Sequence, residues 1–219
     1  MKRTLLALPL LALSACGYTD AGGGTQTLYV VANARFTVSQ GQTHVTVEVH
    51  RAGAAVDDAS VYIRDGESGD LATAPRTSIA TYGLDLGGYR RRLGLEIQAT
   101  SGGSSDSLRA KLEGPSPHVI VNPKAGGLTR GSQGSTLEIE WACSDGLGAD
   151  QVEIGVSGGF SKVVTSDSGK TDGPAMSALS SGTHTLNVTR VTSTDLAGGV
   201  AGSVFNLAFD VESEFDIID

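Results

Sequence analysis

Apolar and polar residues alternate along most of the chain. In the segment THVTVEVH, Val45, Val47 and Val49 fall on one side of an extended chain, and the residues between them are polar. The segments DASVYIRD, LGLEIQAT and DSLRAKLE show similar patterns, with glycine-rich or polar turns between them. A period of two with turns about every ten residues predicts short strands of a β-sandwich. No segment keeps helical spacing over three turns, so we expect an all-β chain.

The alternation is most regular in the second half of the chain. One face of a predicted strand carries Leu137, Ile139, Trp141 and Cys143. We therefore expect Trp141 to lie in the core and Cys143 to be a buried, unreactive thiol. One parity of apolar residues continues through residues 205–217, which predicts a final strand that runs almost to the C-terminus.

A glycine and two prolines interrupt the alternation near the middle of the chain, in LEGPSPHVIVNP. Such residues form short, semi-rigid connections between folded units. We therefore predict two tandem β-sandwich domains, residues 27–113 and residues 114–219.

The first seventeen residues have a different pattern. Lys2 and Arg3 precede an apolar run at residues 5–13, which is too short to span a bilayer as a permanent helix. The following Leu-Ser-Ala-Cys, residues 13–16, resembles the lipobox of bacterial lipoproteins. An ordinary secretory signal that happens to end near a cysteine is the alternative interpretation.

The lipobox resemblance implies a location in the cell. It implies cleavage of residues 1–15 as a signal peptide and acylation of Cys16, with residues 16–26 as a flexible tether. Several acyl chains anchor a protein stably, because each buried methylene contributes about 0.8 kcal/mol. Gly17 stands where an aspartate retains many lipoproteins in the inner membrane. We therefore expect an outer-membrane lipid anchor, on the periplasmic or cell-surface face.

Several stretches resemble known β-sandwich modules. In the second half, VNPKAGG at 121–127, STLEIEWACSDGLGADQVEIGV at 135–156 and LSSGTHTLNVTRVTSTDLAGG at 179–199 resemble bacterial Ig-like modules of surface and envelope proteins. In the first half, VTVEVHRAGAAVDDASVYIRDG at 45–66 resembles a transthyretin-like or Ig-like module. The resemblance implies tandem Ig-like or fibronectin-III-like sandwiches. It leaves the function open, because such folds serve adhesion, sugar binding, scaffolding and spacing.

Charge and cysteine content narrow the range of partners. The 219-residue chain has a formal net charge of −8, which makes it a poor candidate for binding nucleic acid. With Cys16 acylated, Cys143 is the remaining cysteine, so we expect no intramolecular disulfide. No sequence motif for a cofactor is present, and we predict none.

Two motifs suggest chemistry that their context does not support. Ser157, in GVSGG, matches the nucleophile-elbow pattern of hydrolases, but that elbow joins a strand to a helix, and here two strand-like runs flank it. Four turn aspartates are weak calcium candidates, because hard cations need several converging oxygens. These candidates are Asp145, Asp150, Asp167 and Asp172.

The segment YRRRLG, residues 89–94, is the main basic cluster of this acidic chain. Arg90 and Arg92 are predicted to point away from the core. They are candidates to contact an anionic ligand through their guanidinium groups. Protection of an edge strand against pairing with another chain is the alternative explanation.

These patterns predict a membrane-anchored envelope lipoprotein that is not an enzyme. We expect a non-catalytic binding or structural module, such as an accessory of an adhesion, motility or secretion assembly. Its partners would be the membrane, through lipid on Cys16, and another envelope protein or a polysaccharide. The alternative is a calcium-dependent carbohydrate-binding protein or a secreted-type hydrolytic protein. The lack of a placed nucleophile, metal set or cofactor motif in the sequence favours the first.

Overall fold

The computed structural model describes residues 27–101, 104–130, 134–145 and 148–218. The predicted signal peptide and the tether with Cys16 lie outside the described residues. The described chain is built almost entirely of β-strands, and one turn of 3-10 helix, Met176–Ala178, follows the fifteenth strand. The strands are β1 (Leu28–Thr37), β2 (Gln42–Arg51), β3 (Ala54–Ala55), β4 (Ser60–Asp65), β5 (Leu71–Ala74), β6 (Arg76–Ser78), β7 (Thr81–Gly87), β8 (Arg92–Ser101), β9 (Ser104–Glu113), β10 (His118–Asn122), β11 (Gly127–Thr129), β12 (Thr136–Cys143), β13 (Gln151–Val156), β14 (Phe160–Val164), β15 (Lys170–Ala175), β16 (Gly182–Asp195) and β17 (Val204–Ile218).

The strands form three sheets. The largest has the order β14-β13-β16-β17-β1-β2-β7-β6, with β11 paired to β17 and β3 paired to β2. A four-stranded sheet has the order β5-β4-β8-β9, and a three-stranded sheet has the order β10-β12-β15. The apolar residues of these sheets form two hydrophobic cores, so the prediction of an all-β sandwich architecture is confirmed.

The first core lies between the four-stranded sheet and the part of the large sheet that contains β1, β2 and β7. Val45, Val47 and Val49 are fully buried there, as the alternation predicted. Burial of such a side chain contributes about 1.5 to 3 kcal/mol. This core also contains Phe205 and Leu207 of β17, so it draws on residues far beyond residue 113.

The second core lies between the three-stranded sheet and strands β13, β16 and β17. Leu137, Ile139 and Trp141 of β12 point into it and are at most 3% exposed. The predicted orientation of this strand is therefore confirmed up to Trp141.

The prediction that Cys143 is buried is wrong. Cys143 is the last residue of β12, and its side chain is exposed. It has the same parity as Trp141, but on this strand the residues of the second core end at Trp141. Parity therefore gives the face of the strand, whereas burial also requires an opposing layer of side chains.

Strands β16 and β17 connect the two cores. They are 14 and 15 residues long, and every residue of β16 pairs with a residue of β17. At a rise of about 3.4 Å per residue, β17 is about 50 Å long. It contributes Phe205 and Leu207 to the first core and Phe215 and Ile217 to the second. The large sheet thus continues from one core into the other, and the long final strand predicted from the sequence is confirmed.

The connection predicted around residue 114 is a packed segment. Gly114, Pro115 and Ser116 are buried, and the hydroxyl of Tyr89 donates to the carbonyl oxygen of Pro115. A Cβ atom at Gly114 would lie 2.5 Å from the Tyr89 hydroxyl oxygen and 2.6 Å from Cδ2 of Leu207. The segment is therefore fixed against the first core. The division of the chain at 113/114 into two separate domains stays a prediction.

Candidate functional site at the junction of the two cores

Four aromatic rings meet between the cores. The ring centroid of Phe209, on β17, lies 5.1 Å from that of Phe36, 4.8 Å from that of Tyr89 and 5.4 Å from that of His118. Aromatic pairs in such arrangements contribute about 0.5 to 1.5 kcal/mol beyond the area they bury. Burial raises the pKa of Tyr89 far above its ordinary value, so its hydroxyl remains a hydrogen-bond donor. The cluster joins β1, β10, β17 and the β7–β8 connection.

A buried ion pair lies beside these rings. Arg190, on β16, is fully buried, and its Nε and Nη2 donate to Oδ2 of Asp167 in the β14–β15 loop. Nη1 of Arg190 donates to the carbonyl oxygen of Ser116 at 2.6 Å. Asp167 also accepts from Nε1 of Trp141 at 2.8 Å and from the backbone N–H of Ala149 at 3.0 Å. We call these five residues the Arg190–Asp167 cluster.

The hydrogen bonds of this cluster hold Asp167 in its charged form. Burial alone would raise the pKa of Asp167. The N–H groups of Arg190, Trp141 and Ala149 outweigh that effect, so the pKa lies below its ordinary value. Because four N–H groups of three residues already donate to its two oxygens, Asp167 has an evident structural role in binding together three elements of the second half.

The four aspartates proposed as weak calcium ligands do not converge. Within the described ranges, no group of three or more His, Cys, Asp or Glu side chains is placed to hold a metal ion. Asp172 is exposed, on β15. The other three contact different groups: Asp145 pairs with Arg91 at 2.8 Å, Asp150 accepts from the backbone N–H of Ser193 at 2.7 Å, and Asp167 pairs with Arg190.

The two arginines proposed for anion binding face carboxylates of the same chain. Arg90 lies 3.2 Å from Asp65, and Arg92 lies 3.3 Å from Glu113. The Arg92–Glu113 pair is exposed, and such pairs contribute about 0 to 1 kcal/mol, whereas Asp65, the partner of Arg90, is buried. An external anion would therefore compete with these carboxylates, and contact of Arg90 and Arg92 with an anionic ligand stays a prediction.

The structure brings Ser157 and His184 together, although they are far apart in sequence. Oγ of Ser157 lies 3.3 Å from Nδ1 of His184, and Nε2 of His184 lies 2.9 Å from the carbonyl oxygen of Ser180. Oγ of Ser157 also accepts from the backbone N–H of Thr185 at 3.0 Å. Ser157 follows β13 and leads through a turn into β14, whereas the nucleophile elbow leads into a helix. These contacts extend the pairing of β13 with β16 and assign Ser157 a structural role.

A second pair, His118 and Cys143, lies at the edge of the junction. These residues are directly opposite each other on the antiparallel strands β10 and β12. Both line a shallow concavity of about 230 Å³, together with Pro117, Val119, Ala142 and Ser144. Sequence reasoning treated the two residues separately, because the strand register that pairs them was not known.

The ring of His118 is held in one orientation. Its Nε2 lies 3.0 Å from the carbonyl oxygen of Val188, so Nε2 carries the proton and donates. Its Nδ1 is buried and has no hydrogen-bond partner among the described residues. Burial lowers the pKa of His118 to about 4, so the ring is neutral at physiological pH.

We expect Cys143 to react with a maleimide in the folded protein. Its side chain is exposed, although partial burial raises the pKa of the thiol. Since the thiolate is the reactive form, labelling should become faster as the pH rises above neutrality. Mass spectrometry of the Cys16→Ser chain should show one label without denaturant, and the Cys16→Ser/Cys143→Ser chain should show none. Labelling that requires denaturant would mean that Cys143 is buried after all.

No helix among the described residues has the length and apolar character needed to cross a membrane.

Comparison with known proteins gives no matching family model and no matching curated protein. Solved structures do match, and the three described below have low sequence identity to this chain.

One is a structure from a 1.5-MDa bacterial ice-binding adhesin, with 13% identity over 87% of this chain and 65% of that one, and a TM-score of 0.30. A second is the structure of the fibronectin(III)-like modules of Clostridium thermocellum CbhA, with 17% identity over 84% of this chain and 93% of that one, and a TM-score of 0.25. A third is the D0-D1 domain of intimin, with 12% identity over 85% of this chain and 97% of that one, and a TM-score of 0.25. The chain thus spans less than two thirds of the adhesin structure it matches. At this distance the similarity assigns no residue and no partner to the chain.

Proposed function

We propose that this protein is a lipid-anchored component of a bacterial cell envelope that acts as a non-catalytic binding or structural module. In this proposal, lipid on Cys16 holds it in the outer membrane, and the tether of residues 16–26 keeps the β-sandwiches near the membrane surface. Its partner is another envelope protein or a polysaccharide, in an assembly for adhesion, motility or secretion.

The observation that carries the structural part of the proposal is the hairpin that the two cores share. Because β16 and β17 run from one core into the other, no free linker separates the cores along these strands. The buried segment at 114–116 and the Arg190–Asp167 cluster fix the remaining connection. Such a body keeps its two cores in a fixed arrangement, which is what a display or spacer module requires.

The membrane part of the proposal predicts that Cys16→Ser releases the protein from membranes. In the proposal the anchor is covalent lipid, and loss of all acyl chains removes the whole binding energy of the anchor. Fractionation of cells after a high-salt wash should show the parent protein in the outer-membrane fraction and the Cys16→Ser chain in the soluble fraction.

Cys143→Ser is the matched control, because it removes the other cysteine of the chain and should leave the protein in the membrane fraction. A Cys16→Ser chain that stays in the membrane after the salt wash would contradict the lipid anchor.

The binding part of the proposal is tested separately, by crosslinking and pull-down from intact outer membranes. The Cys16→Ser chain gives the background of this experiment. If the parent recovers no more envelope protein or polysaccharide than that background, the result counts against a binding role.

A further inference from the structure

The register of β10 and β12 places His118 and Cys143 next to each other. Residues directly opposite each other on antiparallel strands project from the same face, with Cβ atoms about 4.5 to 5.5 Å apart. The thiol of Cys143 and the imidazole of His118 therefore lie on one side of the β10–β12 pair, and both line the same concavity.

The buried nitrogen of His118 is an observation independent of the cysteine. The residue is only 4% exposed, and its Nδ1 has no partner among the described residues. A buried polar atom without a partner is destabilising, so such an atom calls for an explanation. Because Nε2–H donates to the carbonyl oxygen of Val188, Nδ1 presents a lone pair. Metal-binding histidines are oriented by this kind of bond to a backbone carbonyl.

We propose that Cys143 Sγ and His118 Nδ1 form a two-coordinate site for a thiophilic monovalent metal ion of the Cu(I) class. Thiolate is a soft ligand that selects Cu(I), and imidazole also binds copper. A structural zinc site needs four ligands, which this pair does not supply. When the ion binds, the Sγ–H bond breaks, an Sγ–metal bond forms and the proton passes to solvent, with no change in oxidation state.

The surroundings of the pair suit such an ion. The concavity is lined mainly by Pro117, Val119 and Ala142, besides the two ligands and Ser144. A thiolate and a monovalent cation together carry no net charge, so the complex avoids the cost of placing a net charge against apolar groups. The thiol of Cys143 is the solvent-exposed side of the site and gives an ion its entry from solvent, whereas Nδ1 of His118 lies on the buried side.

The test uses the full-length chain with Cys16→Ser, in which Cys143 is the one cysteine left. Cu(I) is added without oxygen, in competition with a chromophoric Cu(I) chelator. We expect one Cu(I) per chain, no binding after Cys143→Ser, and binding weakened at least about 100-fold after His118→Gln, since one of two ligands is lost. His184→Gln, at another buried histidine, is the matched control and should bind like the parent.

Equal affinity of the His118→Gln chain and the parent would overturn the proposal, because binding would then need the thiol alone. If His118→Gln does not fold, as judged by Trp141 fluorescence, X-ray absorption on the copper-loaded parent decides the matter. One sulfur and one imidazole nitrogen around copper would support the site. Coordination by sulfur alone, or no binding at all, would overturn it.

Discussion

Replacing Asp167 with alanine is expected to lower the free energy of unfolding by about 3 to 5 kcal/mol. The change removes the carboxylate that pairs with Arg190, whose side chain is fully buried, so the guanidinium charge stays buried without this carboxylate beside it. It also removes the acceptor of the Trp141 indole N–H and of the Ala149 backbone N–H. Urea unfolding followed by circular dichroism measures this loss, which is a large part of the stability of a domain.

Asp172→Ala is the matched control, because Asp172 is an exposed aspartate on the strand that follows the same loop. It should cost less than about 1 kcal/mol, as exposed substitutions usually do. The double change Asp167→Leu with Arg190→Met should recover much of the loss, since apolar pairs often replace buried ion pairs without cost. A double variant no more stable than Asp167→Ala would show that the lost hydrogen bonds of Trp141, Ala149 and Ser116, and not the buried Arg190 charge, account for the penalty.

The local pattern of the sequence predicted much of the fold. Alternation identified the strands and the inward face of most of them, because burial on one side of a sheet requires a period of two. The same pattern contained a signal for the ion pair, which sequence reasoning missed. Arg190 has the parity of Leu186 and Val188, which are core residues, so a charged side chain was directed into the core. A buried charge needs a partner, but the alternation does not say that the partner is Asp167.

Contacts between distant parts of the chain could not be predicted in the same way. The parallel pairing of β1 with β17 joins the two ends of the described chain, and nothing in either strand specifies the other. The same is true of the approach of His118 to Cys143 and of Ser157 to His184, since each depends on the register between strands. Local patterns give the face of a residue, whereas register and sheet order come from packing of the whole molecule.

Phe205→Ala is expected to destabilise both cores, although Phe205 lies in the first. Its side chain is fully buried there, and truncating such a residue costs about 3 to 5 kcal/mol. The chain has one tryptophan, Trp141, which lies in the second core and so reports on it alone. Urea unfolding is followed by Trp141 fluorescence and by circular dichroism. Because β17 belongs to both cores, we expect Phe205→Ala to lower the midpoint by the same amount with both probes.

Phe215→Ala is the corresponding change in the second core, where Phe215 is 1% exposed, and should give an equal shift with both probes. Val163, on β14, is 56% exposed. Val163→Ala should therefore lower the free energy of unfolding by less than about 1 kcal/mol with either probe. Coincident transitions would mean that the hairpin makes the two cores one cooperative unit. In the Phe205→Ala chain, the circular dichroism midpoint could fall while the Trp141 fluorescence midpoint stays at the parent value. That result would mean that the cores unfold separately. The two cores would then be separate units of folding, and the hairpin would hold them together without coupling their stability.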